Sequence, residues 1–254
     1  MKKYIAYFDY LGFRQFIENN DLKEQKRGMS HRWRDIEQAL SKEETIIAKS
    51  GAAIADLDKA KINCINFSDT VVFWTEDDSL ESLREIMEVT YLFNWKTNVF
   101  FFPARGSLVH GEIEAPKFEY LSNSKTSYNI NSVYGKGLIS AYEKAESQDW
   151  AGTVLDNSVL EQIKKFSPEI DMYLDKMTIP YIIPYKKGIR KEKEYVFRLV
   201  EGTLNKDSLE YRRQTIRDNF ENYNKGPLDA GVLQKLNNTL EFLQAVIDPS
   251  LEIR

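Results

Sequence analysis

The stretch Tyr4-Ile5-Ala6-Tyr7-Phe8-Asp9-Tyr10-Leu11-Gly12-Phe13 decides the fold of this chain. Its β-branched and aromatic residues predict a buried strand that runs directly into the carboxylate of Asp9, a glycine turn and a helix beginning near Arg14. A carboxylate at the end of a strand is a hard oxygen ligand for a divalent cation, and the backbone N–H groups that open a helix bind phosphate. The two features together suit a nucleoside triphosphate with magnesium. A plain structural role, in which Asp9 only caps the helix, is equally compatible with this stretch alone.

Length and composition indicate a globular protein. The chain has 254 residues, of which 42% are apolar, enough for one large domain or a domain with an appendage. Its 35 basic and 39 acidic residues form no concentrated basic stripe, so we do not expect nucleic acid as a partner. The single Cys64 excludes an intramolecular disulfide, and two histidines argue against a zinc site, so metal chemistry has to use oxygen ligands. We find no signal sequence and no run long enough to span a membrane, which predicts a cytoplasmic protein without a membrane partner.

A second carboxylate, Asp69, lies between two predicted strands. Residues 61–74 have the pattern of a hairpin with a polar tip at Ser68 and Asp69, although a turn is the commoner reason for an aspartate there. The predicted order of strand, helix, two strands, helix and strand is the split βαββαβ arrangement of a ferredoxin-like sheet, with helices on one face. In that sheet the end of the first strand and the hairpin tip are neighbours. We therefore expect Asp9 and Asp69 to share divalent cations, which relieve their mutual repulsion.

The other elements follow from apolar spacing and from turn residues. Helical spacing predicts helices near residues 14–19, 33–47, 79–95, 138–145, 158–166, 209–223 and 232–247. Residues 21–28 are predicted to be a charged connector and residues 122–131 a loop. In the last helix a seam of apolar residues predicts packing on another helix, either within the subunit or across a dimer. The seam consists of Leu233, Leu236, Leu240, Leu243 and Ile247.

Four short blocks of sequence occur in a specific order and spacing. They are Phe8-Asp9-Tyr10-Leu11-Gly12-Phe13, Phe67-Ser68-Asp69, Arg105-Gly106-Ser107-Leu108-Val109-His110-Gly111-Glu112 and Gly137-Leu138-Ile139-Ser140-Ala141-Tyr142-Glu143-Lys144-Ala145-Glu146. Together they resemble successive blocks of the class III nucleotidyl cyclase catalytic domain, and in particular the bacterial pyrimidine cyclases of the Pycsar anti-phage defence system. The resemblance implies an α+β, ferredoxin-like βαββαβ cyclase domain at residues 1–202. Residues 203–254 would then be a C-terminal helical extension that packs on the domain or dimerises.

The same resemblance implies an enzyme that forms a 3′,5′-cyclic nucleotide and pyrophosphate from a nucleoside triphosphate. Asp9 and Asp69, helped by the Tyr10 carbonyl, would hold two Mg²⁺ or Mn²⁺ ions in each active site, one for the ribose 3′-hydroxyl and one for the triphosphate. In-line attack on the α-phosphorus depends on positioning and charge neutralisation more than on a general base. The phosphates would contact the backbone amides of Leu11, Gly12 and Phe13.

Two departures from the purine cyclases bear on the substrate. Where those enzymes carry Asn and Arg on the late helix, this chain has Ser140 and Lys144, so Lys144 is the candidate for stabilising the transition state with a point charge. Four residues before Asp69, where adenylate cyclases carry a base-reading lysine, stands Ile65. The resemblance therefore favours a pyrimidine nucleotide, with UTP preferred to CTP.

The family's catalytic domains act as homodimers with composite sites, so Lys144 of one chain would serve the two aspartates of the other under two-fold symmetry. Arg105 and Lys187 are candidates for phosphate contacts, although a salt bridge at the surface or at an interface explains either residue at least as well. Two alternatives stay open at this point. One is an adenylate or guanylate cyclase with an unusual base pocket, and the other is a degenerate cyclase-like domain that binds nucleotide without turnover.

Overall fold

The computed structural model describes residues 1–100, 102–121, 123–124, 127–186, 192–200 and 206–247. The strands in these ranges are β1 (Lys2–Tyr10), β2 (Thr45–Ile47), β3 (Ala53–Ala55), β4 (Asn63–Phe67), β5 (Thr70–Trp74), β6 (Ala104–Glu112), β7 (Lys117–Leu121), β8 (Ser127–Asn131), β9 (Thr153–Leu155), β10 (Thr178–Ile182) and β11 (Lys193–Phe197). The α-helices are α1 (Phe13–Asn19), α2 (Leu22–Leu40), α3 (Leu80–Phe100), α4 (Lys136–Glu146), α5 (Asn157–Phe166), α6 (Asp171–Met177), α7 (Lys206–Glu221) and α8 (Ala230–Ile247).

A seven-stranded sheet with the order β10-β11-β9-β6-β1-β5-β4 forms the centre of the molecule. Strand β1 lies between β5 and β6 and is antiparallel to both, and β4 is antiparallel to β5. The four strands β6-β1-β5-β4 therefore have the order and directions of a ferredoxin-like βαββαβ unit, which confirms the predicted fold class. Strand β9 extends this unit by pairing in parallel with β6, and β11 and β10 continue the sheet beyond it.

Both faces of the sheet are covered. Strand β1 has apolar residues at odd and at even positions, so it presents buried side chains to both faces. Tyr4 and Phe8 pack in one cluster with residues of α3, whereas Ile5 and Tyr7 pack in another with Ala141 of α4. The prediction of helices on one face is therefore wrong: α4 covers the opposite face from α3. A strand that is buried on both faces lacks the alternation that would have indicated one open face.

Two glycines bring α4 close to the sheet. A Cβ atom added to Gly111 of β6 would lie 2.6 Å from the Cα atom of Gly137, in the first turn of α4. Glycine at both positions lets the helix approach the strand at backbone distance. The approach places the last turn of α4, with Glu146, near the end of β1.

Helix α2 is continuous where the sequence predicts a connector followed by a helix. It begins at Leu22 because Asp21 caps it: the N–H of Glu24 donates to Asp21 Oδ1 at 2.9 Å. The connector predicted at residues 21–28 is therefore wrong, since these residues form the first turns of the helix.

Two hairpins replace a predicted helix end and a predicted loop. Helix α2 ends at Leu40, and β2 and β3 pair where the helix at 33–47 was expected to finish, in a segment whose β-branched residues favour strand. The apolar spacing that predicts a helix at 33–47 begins at Trp33, but this side chain is 52% exposed and does not belong to the buried face of α2. Strand β8 lies in the predicted loop 122–131 and pairs with β7.

The two C-terminal helices pack on the same subunit. Leu236, Leu240 and Leu243 of α8 are buried in a cluster with Trp150 and Val196. These three residues of the seam pack within the subunit, whereas Leu233 is 44% exposed. Dimerisation through these helices stays a prediction. The predicted boundary near residue 202 lies outside the described residues.

Candidate active site

Asp9 and Asp69 lie side by side at the same end of two neighbouring strands of the sheet. Asp9 is the penultimate residue of β1 and stands opposite Thr70 of β5, the residue that follows Asp69. The N–H of Tyr10 donates to the carbonyl of Asp69 at 2.9 Å, which joins the end of β1 to the tip of the β4–β5 hairpin. Strand pairing thus brings together two carboxylates that are 60 residues apart in the sequence.

Arg105 occupies one side of Asp9. It stands directly opposite Asp9 on β6, and its Nε and Nη2 atoms donate to Asp9 Oδ2 at 3.1 and 2.9 Å. Nη2 also pairs with the carboxylate of Glu146, at the end of α4. The Arg105 side chain is 9% exposed. The pair is a buried ion pair rather than the predicted surface or interface salt bridge, and the phosphate contact of Arg105 stays a prediction. Glu146 belongs to the fourth sequence block, but nothing in that block marked it as a partner of Arg105.

The pKa of the Asp9 carboxyl is raised above its usual value. Burial is the main cause, the guanidinium of Arg105 opposes it, and the carboxylates of Asp69 and Glu146 add to it. The side chain of Asp9 is 15% exposed. Ionised Asp9 is therefore stabilised by positive charge, which Arg105 supplies here.

The turn after β1 differs in part from the predicted phosphate site. The N–H of Leu11 donates to the carbonyl of Pro103 at 2.8 Å, so this amide is already paired and Leu11 is removed from the phosphate-binding candidates. Gly12 has a φ of 76° and precedes the first residue of α1, Phe13. A side chain at position 12 would require a left-handed backbone and would meet Lys225 Cδ at 3.0 Å. The roles of the Gly12 and Phe13 amides stay predictions.

The structure does not place Lys144 with the aspartates of its own subunit. Its ammonium pairs with the carboxylate of Glu194 on β11 and lies 5.2 Å from the ring centroid of Tyr185. The Tyr185 hydroxyl donates to Glu194 Oε1 at 2.5 Å. Ser140 is exposed one turn earlier in α4, and its hydroxyl donates to the carbonyl of Lys136 at 3.0 Å. Lys187 lies outside the described residues.

An open cleft of about 380 Å³ runs along the edge strand β4. Ile65, the residue at the position of the base-reading lysine, is one of its walls. The lining side chains carry no charge; they are Cys64, Ile65, Asn66, Trp74, Ala115, Pro116, Ser132 and Val133. Its size and its mainly apolar walls are compatible with a small ligand.

The donor chemistry at the aspartate pair fits a hard divalent cation. The two carboxylates and the carbonyl of Tyr10 are oxygen donors, which Mg²⁺ and Mn²⁺ prefer. No group of three or more His, Cys, Asp and Glu side chains in the described part of the chain is arranged to hold a metal ion. A cation at these strand ends therefore needs further oxygen atoms, such as those of water or of a phosphate.

The sheet order, the hairpin at its edge and the crossing of α4 define a class: the chain has the fold of a class III nucleotidyl cyclase catalytic domain. The guanylate cyclase domain of RhGC from Catenaria anguillulae in complex with GTP matches with a TM-score of 0.50 at 12% identity, over 77% of this chain and 95% of that chain.

Two further structures match equally well. The catalytic core of a rhodopsin-guanylyl cyclase with converted specificity, in complex with ATPαS, has a TM-score of 0.50 at 12% identity, covering 77% of this chain and 94% of that chain. The dimeric guanylyl cyclase domain of the RhoGC fusion protein from Blastocladiella emersonii has a TM-score of 0.50 at 11% identity, covering 77% of this chain and 93% of that chain. No protein-family model and no curated protein matches the chain. Across the described ranges, no helix combines the length and apolarity needed to cross a bilayer.

Proposed function

We propose that the chain is a nucleotidyl cyclase that converts a pyrimidine nucleoside triphosphate, UTP in preference to CTP, to the 3′,5′-cyclic monophosphate and pyrophosphate. The observation that carries the proposal is the position of Asp9 and Asp69 on this fold, at the end of the central strand and at the tip of the adjoining hairpin. Two carboxylates at the end of a strand, beside a turn that opens a helix, suit a triphosphate with divalent cations.

In the proposed reaction the aspartates bind the metal ions and the turn after β1 binds the phosphates. Asp9, Asp69 and the Tyr10 carbonyl would hold two Mg²⁺ or Mn²⁺ ions, whose chemistry is to activate the ribose 3′-hydroxyl and to neutralise the phosphates. The amides of Gly12 and Phe13 would orient the phosphate chain for in-line attack. Arg105 balances the charge of Asp9 before substrate binds, and its second contact, with Glu146, offers the guanidinium a partner when Asp9 takes up a cation.

The uncharged cleft beside β4 supports a pyrimidine substrate. Ile65 presents no donor to a purine ring at the position where adenylate cyclases use lysine. Asn66 and Ser132 are the polar side chains of the cleft, and the Asn66 amide nitrogen is already bonded to the Thr70 carbonyl at 2.9 Å. The preference for UTP and the role as signal producer in cytoplasmic anti-phage defence rest on the sequence resemblance.

A homodimer with composite sites is part of the proposal. The outer face of α4 exposes Ile139 (57%) and Tyr142 (48%), and Tyr134 (57%) stands just before the helix. These apolar side chains suit burial against a second copy of the chain. For Lys144 to act on a substrate held by the other subunit, its ammonium has to leave Glu194.

Two observations favour a second candidate, a cyclase-like domain that binds nucleotide without turnover. Asp9 is held by Arg105, and Lys144 is held by Glu194. In that case both ion pairs would persist when nucleotide binds. A purine cyclase is the other alternative, since two of the matched structures are described with GTP and with ATPαS.

Incubation of the pure protein with UTP, CTP, ATP and GTP in turn, with Mn²⁺ and mass-spectrometric product identification, tests these candidates. We expect cyclic UMP as the main product, and we expect Asp9→Asn and Asp69→Asn to abolish it while the mass of the assembly in light scattering stays unchanged. The matched control is Asp58→Asn, which removes an exposed carboxylate and should retain full activity. Binding of a nucleotide with no cyclic product from any of the four would establish the second candidate instead.

A further inference from the structure

Arg32 of α2 is an arginine with no exposed surface. Burial of a guanidinium is unfavourable unless its charge and its donors are used. Nε has no hydrogen-bond partner among the described residues, so the contacts of the two terminal nitrogens and of the guanidinium plane indicate what Arg32 does. Nη2 donates to the carbonyl of Ser68 at 2.9 Å, and Nη1 lies 3.1 Å from the sulfur of Met29. The guanidinium carbon is 3.8 Å from the ring centroid of Tyr10 and 4.6 Å from that of Phe13. Arg32 thus contacts the end of β1, the start of α1 and the hairpin tip at once.

The hairpin tip needs such support. Ser68 has a φ of 55°, a left-handed conformation that is unfavourable for a residue other than glycine and persists where its surroundings hold it. The carbonyls of Ser68 and Asp69 accept hydrogen bonds from Arg32 and from the N–H of Tyr10, respectively. Two consecutive peptide groups of the tip are therefore held from the α2 side and from the β1 side.

Electrostatics adds to this arrangement. Burial lowers the pKa of the Arg32 guanidinium, while Tyr10 and the carboxylates of Asp69 and Asp35 act in the opposite direction. Arg32 and Asp69 are thus within Coulombic reach of one another, although the hydrogen bond goes to the backbone of the preceding residue.

We propose that Arg32 is a positioning residue: by binding the Ser68 carbonyl while it stacks on Tyr10, it holds the Asp69 carboxylate beside Asp9 in the geometry that a divalent cation requires. The inference rests on the proposed function. Arg32 touches neither the cation nor the nucleotide, and its effect reaches them through the hairpin tip.

The test compares Arg32→Met and Arg32→Lys in the full chain. Methionine keeps much of the packing volume but has neither charge nor donor. Lysine keeps the charge and can donate a hydrogen bond to the Ser68 carbonyl, but it has no planar group to stack on Tyr10. Lys96→Met is the matched control, because Lys96 is 5% exposed on α3 and pairs with Glu43 rather than with the hairpin tip. Mn²⁺ affinity is measured by electron paramagnetic resonance without nucleotide, at a temperature where circular dichroism shows each variant folded. Steady-state kcat and KM are measured in parallel.

Loss of the Arg32 charge by itself favours a cation at Asp69, so weaker Mn²⁺ binding in Arg32→Met measures the loss of positioning. We expect Arg32→Met to weaken Mn²⁺ binding about tenfold, the equivalent of one charge-assisted hydrogen bond, and to lower kcat more than it raises KM. Arg32→Lys should weaken Mn²⁺ binding less, and Lys96→Met should leave it unchanged even if its melting temperature falls. Mn²⁺ affinity equal to wild type in both Arg32 variants overturns the proposal. If Arg32→Met does not fold, wild-type Mn²⁺ affinity in Arg32→Lys overturns the proposal. A loss of Mn²⁺ affinity in Lys96→Met equal to that in Arg32→Met also overturns it. Absence of cyclic product from the wild-type protein with all four nucleotides would instead contradict the proposed function.

Discussion

Replacing Arg105 by glutamine leaves the carboxylate of Asp9 buried without the guanidinium that it contacts at 2.9 Å. Removal of one partner from a buried ion pair costs about 3–5 kcal/mol of stability. The lower end of this range applies, because burial already raises the pKa of Asp9 and uptake of a proton limits the cost. For a chain of this length, about 3 kcal/mol corresponds to a melting temperature lowered by roughly 6–12 °C in metal-free buffer.

A divalent cation should recover much of that loss. With the guanidinium removed, Asp9, Asp69 and Glu146 attract Mn²⁺ against one positive charge fewer, although Lys186 still pairs with Glu146, so the cation binds the Arg105→Gln variant more tightly than wild type. Binding to the folded state alone stabilises it, by about 2.7 kcal/mol at a hundredfold excess over the dissociation constant. Mn²⁺ should therefore raise the melting temperature of the variant by more than that of the wild-type protein.

Differential scanning calorimetry in EDTA and in Mn²⁺ makes the comparison. The control is Arg14→Gln, which removes an exposed arginine paired with Glu18 and should leave the melting temperature nearly unchanged. The double variant Asp9→Asn with Arg105→Gln should be more stable than additivity of the single changes predicts. An unchanged melting temperature for Arg105→Gln in EDTA, or an equal Mn²⁺ increment in variant and wild type, would refute the reasoning.

Three other perturbations have defined outcomes. Burial raises the pKa of Asp35 to about 7, so the folded state binds the proton more tightly than the unfolded state. The contribution of protonated Asp35 to stability is therefore fully present below its unfolded-state pKa and is lost as pH rises through about 7. Asp35→Asn should therefore gain melting temperature relative to wild type at pH 8 and show little difference at pH 4. Leu240→Ala should cost about 2–5 kcal/mol in urea unfolding without changing the assembly mass, while Leu233→Ala, at a 44% exposed site, should cost much less. Ile65→Lys should raise the ratio of ATP to UTP turnover at least about threefold in competition assays, because it adds a donor to the wall of the cleft; an unchanged ratio would remove the cleft as the base site.

The positions of Asp9 and Asp69 in their local elements were predictable, because short-range signals define them. An apolar strand ends at a carboxylate, and a polar tip separates two strands with β-branched residues. The order of elements then predicted that the two aspartates are close in space, and the pairing of β1 with β5 places them side by side. The continuous helix α2 was missed because its charged first turns have the composition of a connector, and only the cap at Asp21 marks their helical state.

The sequence by itself determined the fold class and the place of both aspartates, since strand period, turn residues and element order act over a few residues at a time. Only the tertiary structure decided the partners of the long charged side chains: Arg105 pairs with Asp9 and Glu146, and Lys144 pairs with Glu194. It also decided that Leu236, Leu240 and Leu243 of α8 are buried on their own subunit. An arginine or a lysine reaches several elements that are distant in sequence, so its partner depends on how strands and helices are arranged in space, and no local pattern records that arrangement.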